Sequence, residues 1–140
     1  MVTFEKVFLD ANVILRYVVA DHEEPFEECR KLITSIRAGS IRPYISSIVL
    51  LEVAHVLYSV YKVPRSEIIK DIATILELRG LVVVEETNFR EAFSLHQKTG
   101  VKLADCLIAT QVPKGVALVT YDRDFAKLPG LTARTPKEIF

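Results

Sequence analysis

The sequence is poor in residues that build several common kinds of site. Its 140 residues include 2 cysteines, 5 glycines, 3 histidines and no tryptophan. Cys29 and Cys106 lie far apart and neither has a second cysteine nearby, which excludes a disulfide scaffold and a cysteine-based zinc site. Glycine-rich phosphate loops and the GxSxG motif are also absent. Two isolated cysteines are typical of a reducing compartment, so we expect a cytoplasmic protein.

Net charge and long apolar runs are missing as well. Lys and Arg number 18, as do Asp and Glu, so no overall field attracts nucleic acid or anionic lipid, and any polyanion site is local. The apolar runs fall well short of the ~18 residues of a membrane span, and Met1–Lys6 lacks the layout of a signal peptide. We therefore expect neither a leader nor a membrane association. Half of the residues are apolar, enough for the core of a single domain over residues 1–140.

Short apolar runs alternate with amphipathic segments along the whole chain. The pattern predicts strands at 7–9, 41–45, 81–84, 116–120 and 131–133. It predicts helices at 12–20, 24–37, 46–61, 66–79, 88–99 and 103–111. Apolar strands joined by helical crossovers indicate an α/β fold with three layers, in which helices cover both faces of a short parallel sheet. Ligands of such sheets bind at the carboxyl ends of the strands.

Acidic residues stand in apolar surroundings at four places. Asp10 and Asp122 each follow a predicted strand, and Asp124 comes two residues later. Glu52 lies in the middle of a predicted helix, and Asp105 lies near the start of another. An ionised carboxylate that leaves water without a partner costs several kcal/mol, and a shared cation removes that cost. Because carboxylate oxygens suit Mg²⁺ or Mn²⁺, the pattern predicts a metal site.

Simpler roles exist for each acid taken alone. The two acids that follow strands suit a helix N-cap or a turn. Asp105 suits the first turn of a helix, where a negative charge interacts favourably with the helix dipole. Glu52 lies too far from a helix start to be a cap, so an ion pair with Arg16 or Lys102 is its simplest alternative. The four acids together favour the metal site.

Two other phosphate-handling folds also place an aspartate after the first strand. A haloacid-dehalogenase-like phosphatase needs a second aspartate two residues later, where this chain has Asn12. A phosphoacceptor receiver domain needs an acidic pair after its first strand, whereas Phe8-Leu9-Asp10 has one acid. Neither alternative fits the sequence.

Four segments of the chain, which follow one another in the same order as in the family, resemble the PIN domain family and, within it, the VapC-type toxin ribonucleases of toxin–antitoxin pairs. The resemblance spans nearly the whole chain. The segments are Phe8-Leu9-Asp10-Ala11-Asn12, 45–53 (ISSIVLLEV), 103–109 (LADCLIA) and 119–125 (VTYDRDF).

The resemblance implies a divalent-metal-dependent endoribonuclease that cleaves single-stranded or looped RNA. In the family, acids at the positions of Asp10, Glu52, Asp105 and Asp122 hold one or two Mg²⁺ or Mn²⁺ ions. Asp124 competes with Asp122 for the fourth position, which stays open, although Asp122 is nearer to the strand end. Supporting polar positions are Asn12, Ser46 and Thr120, and the candidate contacts to RNA phosphates are Arg16, Lys102 and Arg123.

The resemblance also implies partners, namely an RNA substrate, a small antitoxin protein and a second copy of the chain in a homodimer. Apolar side chains on three predicted helices are candidates for these protein interfaces, or else for ordinary core: Tyr17, Val18, Phe26, Ile33, Ile68, Ile69, Ile72 and Leu76. Two other functions remain open. One is a housekeeping PIN nuclease in RNA processing, and the other is a PIN-like domain that binds RNA or protein without catalysis.

Overall fold

A computed structural model describes residues 5–19 and 27–140 and has a parallel sheet at its centre. The five strands of this sheet run in the order β3-β2-β1-β4-β5, and each neighbouring pair is parallel. They are β1 (Lys6–Leu9), β2 (Arg42–Ser46), β3 (Val82–Val84), β4 (Ala117–Val119) and β5 (Ala133–Arg134). The predicted α/β fold with a short parallel sheet between helices is therefore confirmed.

Within the part of the chain that the structure describes, six α-helices connect the strands. They are α1 (Ala11–Val18), α2 (Glu27–Ala38), α3 (Ser47–Ser59), α4 (Arg65–Leu76), α5 (Phe89–Thr99) and α6 (Leu103–Gln111). Local sequence explains where several of them begin and end. The side chains of Asp10, Ser46 and Asn88 accept backbone N–H groups at the starts of α1, α3 and α5. Gly100 ends α5 in the left-handed conformation (φ 75°), which glycine adopts without steric cost.

The structure differs from the sequence prediction mainly at element ends. Helix α4 stops at Leu76 rather than at residue 79, because the chain turns there and places Leu78 in the core. Strand β5 comes later than predicted. Two short 3₁₀ helices, Arg123–Lys127 and Pro136–Ile139, were not predicted, since a single turn leaves no periodic signal. The predicted start of α2, at residue 24, lies outside the described residues.

The core is densest around the two central strands. Val7, Phe8 and Leu9 of β1 are fully buried, as are Leu118 and Val119 of β4. Cys29 and Cys106 are buried and free. Because burial of this kind fixes the backbone, the residues that follow β1 and β4 are held on a rigid support.

The apolar interface residues that the sequence suggested are mostly covered. Ile33 belongs to the core, and the side chains of Tyr17, Val18, Ile68 and Ile72 are partly buried against it. Phe26 lies outside the described residues. Ile69 and Leu76 of that set are exposed, as are Leu51 and Tyr58 on α3 and Val60 and Tyr61 directly after it. Of the two roles left open for these side chains, ordinary core is thus favoured for the described residues of the first two helices.

Across residues 5–19 and 27–140, none of the helices combines the length and the apolar character needed to cross a membrane.

Candidate metal and nucleic-acid site

The site is built on the register of the two central strands. Leu9 of β1 pairs with Val119 of β4, so the next residues, Asp10 and Thr120, meet at the carboxyl edge of the sheet. The Thr120 Oγ1 hydroxyl donates to Asp10 Oδ2 at 2.7 Å, and the Ala11 N–H donates to Asp10 Oδ1 at 2.8 Å. The cap role predicted for Asp10 is thus confirmed, and its carboxylate is held in one orientation.

Asn12 and Thr120 connect the start of α1 to the segment that follows β4. Asn12 Nδ2 lies 3.3 Å from both Asp10 Oδ2 and Thr120 Oγ1. Asn12 Oδ1 accepts the Tyr121 N–H at 3.2 Å, and Thr120 Oγ1 accepts the Asp122 N–H at 3.0 Å. These two predicted supporting residues therefore position Asp10 and Asp122 relative to each other.

Asp105 has the least satisfied carboxylate of the group. It lies in the first turn of α6, is 7% exposed, and has an Oδ2 atom that is buried without a hydrogen-bond partner. Burial and then the charges of Asp10, Asp122 and Glu52 raise its pKa from 3.8 to about 6, against the opposing charge of Lys102. A carboxylate in this position gains most from a cation or a proton.

Asp10 and Glu52 belong to the same electrostatic cluster. Burial raises the pKa of Asp10, which hydrogen bonds from Thr120 and Ala11 oppose, and the charge of Asp122 raises it further. Glu52 is an exposed residue of α3, yet partial loss of water and then the charge of Asp10 raise its pKa, while Lys102 lowers it.

The ion pair suggested as an alternative for Glu52 is absent from the described part of the chain, where Glu52 has no cationic partner within 4.0 Å. Lys102 acts on it only at longer range.

Asp122 and Asp124, the two candidates for the fourth acid of the cluster, make different contacts. Asp122 Oδ1 accepts the Asp124 N–H at 2.9 Å and caps the short 3₁₀ helix, which is the turn role predicted for it. Its charge also raises the pKa of the other three acids. The Asp124 carboxylate instead forms an ion pair with Lys127 at 3.2 Å. The electrostatics therefore favour Asp122 over Asp124.

Ser46 has a structural role in the conformation described. Its hydroxyl is buried and accepts the Val49 N–H at 3.2 Å, which caps α3. By fixing the start of α3, Ser46 fixes the helix that carries Glu52.

The three candidate phosphate contacts lie in different surroundings. Lys102 precedes α6 and is close enough to Glu52 and Asp105 to lower their pKa values. The guanidinium of Arg16 lies 5.6 Å from the ring centroid of Tyr121. Arg123 is exposed and lines a cavity of about 340 Å³ that also includes Asp122.

The donor chemistry of this cluster fits a hard divalent cation. The four acids supply only oxygen, and one buried oxygen of Asp105 has no other partner. In the conformation described, no three His, Cys, Asp or Glu side chains of residues 5–19 and 27–140 are arranged closely enough to hold a metal ion. Mutual repulsion favours such separation, because each of these charges raises the pKa of its neighbours.

The sequence did not indicate the contact that links Tyr121 to α2. The Cys29 thiol and the Tyr121 hydroxyl lie 3.0 Å apart and share a hydrogen bond. Tyr121 stands between Thr120 and Asp122, so this contact fastens the acid-bearing segment to a second helix. A tyrosine between two site residues was the only signal in the sequence. His96 is satisfied by the Val101 carbonyl, at 2.6 Å, as expected for a structural histidine.

Fold and site together define a parallel α/β protein with a cluster of four acidic residues near the carboxyl edge of its sheet, whose charges act on one another. The model of the PIN domain family matches residues 7–131, and the chain belongs to that family. No curated protein matches the chain in sequence.

Solved structures confirm the fold at low sequence identity. VapBC2 from Rickettsia felis, bound to a DNA fragment from its promoter, is 20% identical with a TM-score of 0.68, and the match covers 93% of this chain and 98% of that one. VapBC-1 from nontypeable Haemophilus influenzae is 17% identical with a TM-score of 0.65, covering 94% and 98%. DNA-bound VapBC from Salmonella typhimurium is 20% identical with a TM-score of 0.63, covering 97% and 99%.

Proposed function

We propose that this PIN domain is a divalent-metal-dependent endoribonuclease that acts in the cytoplasm as the toxin of a toxin–antitoxin pair. The observation that carries the proposal is the electrostatic cluster at the carboxyl edge of the sheet. Four segments that are distant in sequence contribute Asp10, Glu52, Asp105 and Asp122, and their charges act on one another. A fold has no structural need to gather four like charges, because each addition destabilises the others.

The four acids would hold Mg²⁺ or Mn²⁺. When bound, the metal makes water a nucleophile near neutral pH and stabilises negative charge on phosphate oxygens. Asp10 is the central ligand in this proposal, because it lies at the end of the middle strand and interacts with each of the other three acids.

The remaining residues prepare the site. Thr120 and Asn12 hold Asp10 Oδ2, which keeps the Asp10 carboxylate in a fixed orientation. Lys102 places a positive charge near Glu52 and Asp105, where it reduces the repulsion between the acids and an RNA phosphate. Asp105 holds a proton on its carboxyl below about pH 6 in the metal-free protein and releases it when the metal binds.

The toxin role and its partners rest on the fold neighbours and on the surface. The neighbours are VapBC complexes, which matches the proposed pairing with an antitoxin. The exposed side chains of Leu51, Tyr58, Val60, Ile69 and Leu76 offer apolar area for a homodimer or an antitoxin. Light scattering at tens of micromolar should therefore give the mass of a dimer, and a monomer there would contradict the homodimer.

Cleavage of a pooled RNA with and without Mn²⁺ tests the enzyme. We expect wild type to cleave only with the metal, and Asp10→Asn to lose at least about a hundredfold in rate, more than loss of a residue that only supports a metal ligand. Glu67→Gln is the matched control, because it removes one carboxylate charge from the surface of α4, where Glu67 pairs with Lys70.

A second readout does not depend on cleavage. Millimolar Mn²⁺ should raise the melting temperature of wild type and of Glu67→Gln, but much less that of Asp10→Asn. Wild type that binds RNA without any metal-dependent cleavage would instead support the non-catalytic alternative. A cleaving protein without an antitoxin partner would support a housekeeping nuclease.

A further inference from the structure

The cavity that Arg123 lines adjoins the acid cluster at the carboxyl ends of β4 and β5. Its volume is about 340 Å³, near the lower end of the range of about 300–1,000 Å³ for small-ligand sites. It is lined by Thr120, Asp122, Arg123, Ala126, Arg134 and Glu138, among others. Thr120 donates to Asp10, and Asp122 belongs to the acid cluster, so the cavity and the cluster share a wall.

We propose that this cavity binds the nucleotide next to the scissile bond of a single-stranded RNA, with Arg123 and Arg134 holding its phosphate. The inference rests on the proposed nuclease function and deepens it. It adds a binding site, and two residues, Arg134 and Glu138, that the sequence analysis did not single out.

The two arginines supply the positive charge that a phosphate requires. Both are exposed, and within residues 5–19 and 27–140 neither forms an ion pair. Arg134 donates through Nη1 to the Ala133 carbonyl at 2.8 Å, which anchors the side chain and leaves further guanidinium donors available. Arginine in this situation is well suited to phosphate recognition, since its planar fork can make two parallel hydrogen bonds.

Other residues that line the cavity suit a base. Ala126 and Ala133 are small, which leaves room for a flat ring. Glu138 is held in place because its Oε1 accepts from the Thr135 N–H at 2.9 Å and from the Thr135 hydroxyl at 3.0 Å. These bonds and then the charge of Arg134 lower the pKa of Glu138, so the carboxylate is ionised at neutral pH. An ionised carboxylate accepts N–H groups from the edge of a base, whereas the guanidinium groups of Arg123 and Arg134 attract the phosphate of the nucleotide.

The position of the cavity gives the RNA a path across the acids. Lys102 lies near Glu52 and Asp105 in the cluster, whereas Arg123 and Arg134 line the adjoining cavity. A strand with one phosphate at the acids can therefore meet the charge of Lys102 at the cluster and the charges of the two arginines in the adjoining cavity. Because the net charge of the chain is zero, such local cations must supply the attraction that the whole protein lacks.

The test measures the affinity for fluorescein-labelled RNA octamers of random sequence, by anisotropy, in EDTA and over a salt series. Arg123→Ala and Arg134→Ala should each weaken binding about tenfold, as loss of a charged hydrogen bond does. Each should also lower the salt slope by about 1. Arg134→Lys should recover part of the loss. Ala126→Leu should weaken binding without changing the slope, because it fills space and removes no charge.

Lys114→Ala is the matched control for charge. Lys114 is exposed in the turn before β4, at the opposite end of that strand from Asp122, and its loss should leave the affinity unchanged. Equal effects of Lys114→Ala and the two arginine variants would overturn the inference, as would no effect of any variant, and either result would make a protein partner the better candidate occupant. Wild type that binds with these dependences but never cleaves RNA with Mn²⁺ would overturn only the proposed function.

Discussion

Helix α6 carries two buried polar side chains whose situations differ. Asp105 lies in its first turn and Gln111 at its end, and both are less than a tenth exposed. Each has side-chain atoms without a hydrogen-bond partner, Oδ2 in Asp105 and both Nε2 and Oε1 in Gln111. The pKa of Asp105 is raised by the charges of three other acids, whereas Gln111 carries a neutral amide. A buried polar atom without a hydrogen-bond partner thus indicates a ligand site only where neighbouring side chains could bind the same ligand.

Asp105 and Gln111 also differ in what can relieve the free-energy cost of their unpartnered polar atoms. An amide has no ionisation to change, so the unsatisfied Gln111 costs about 1–3 kcal/mol under all conditions. A carboxylate can take up a proton or a cation, so the cost at Asp105 depends on pH and metal. The comparison therefore predicts that changes at Asp105 alter function and pH response, while changes at Gln111 alter stability alone.

The largest expected effect is on RNA cleavage. Asp105→Asn keeps the shape of the side chain but removes a charge from the proposed metal site, so we expect the Mn²⁺-dependent cleavage rate to fall at least about a hundredfold. Gln111→Met, on the same helix, should leave that rate within about twofold, because Gln111 lies at the other end of α6 from Asp105 and its amide makes no hydrogen bond to any of the acids. Equal losses of cleavage rate in the two variants would mean that both act by disturbing the packing of α6. Asp105 would then have no separate role in cleavage.

The next effect is on stability as a function of pH in the metal-free protein. The folded pKa of Asp105, about 6, exceeds its ordinary value of 3.8, so folding favours the protonated form. This contribution is fully present below pH 3.8 and is lost as the pH rises through 6. The free energy of unfolding should therefore fall by about 1 kcal/mol between pH 5 and pH 7, and more if Asp10 and Glu52 contribute in the same direction.

Denaturant titrations in EDTA at several pH values measure this dependence. Asp105→Asn should flatten the curve over that window, and Gln111→Met should leave its shape unchanged. Glu138 does not interfere, because its lowered pKa affects stability only at pH values near and below 4.5. A wild-type stability that rises from pH 5 to pH 7 would contradict the prediction.

The smallest effect is a gain in stability at Gln111. Gln111→Met replaces an unsatisfied amide by an apolar side chain of similar length, so we expect the free energy of unfolding to rise by about 0.5–1 kcal/mol at every pH. Urea unfolding at pH 5 and pH 7 checks both the gain and its independence of pH. A loss of stability would show that a water molecule forms hydrogen bonds with the Gln111 amide in solution. That would be a further difference from Asp105, whose Oδ2 atom has no partner.

The sequence was informative where burial and patterning act together. Strands such as Val7–Leu9 are continuous apolar runs, and their carboxyl ends share one edge of a parallel sheet, so the neighbourhood of Asp10 and Asp122 followed from the pattern. Glu52 and Asp105 could be placed there only through the resemblance to the PIN domain family. Their roles as metal ligands remain predictions.

Other features of the site depend on contacts that no local pattern encodes. The hydrogen bond between Cys29 and Tyr121 joins residues far apart in sequence. Arg134 reaches the cavity beside the acid cluster only because β5 pairs with β4. Asp122 and Asp124 look equivalent as letters, yet Lys127 lies one turn from Asp124 and pairs with it. Such outcomes depend on three-dimensional arrangement, so they required the structure.

The pairing of β1 with β4 has a consequence for the order of folding. Thr120 and Asp10, which share the 2.7 Å hydrogen bond, are separated by 110 positions in the chain. Contacts of such long range close a large loop and form late, after local helices and neighbouring strands. During synthesis, the acids near the amino terminus must wait for β4 to leave the ribosome. The acidic site is therefore completed only after the residues through Asp122 have been made.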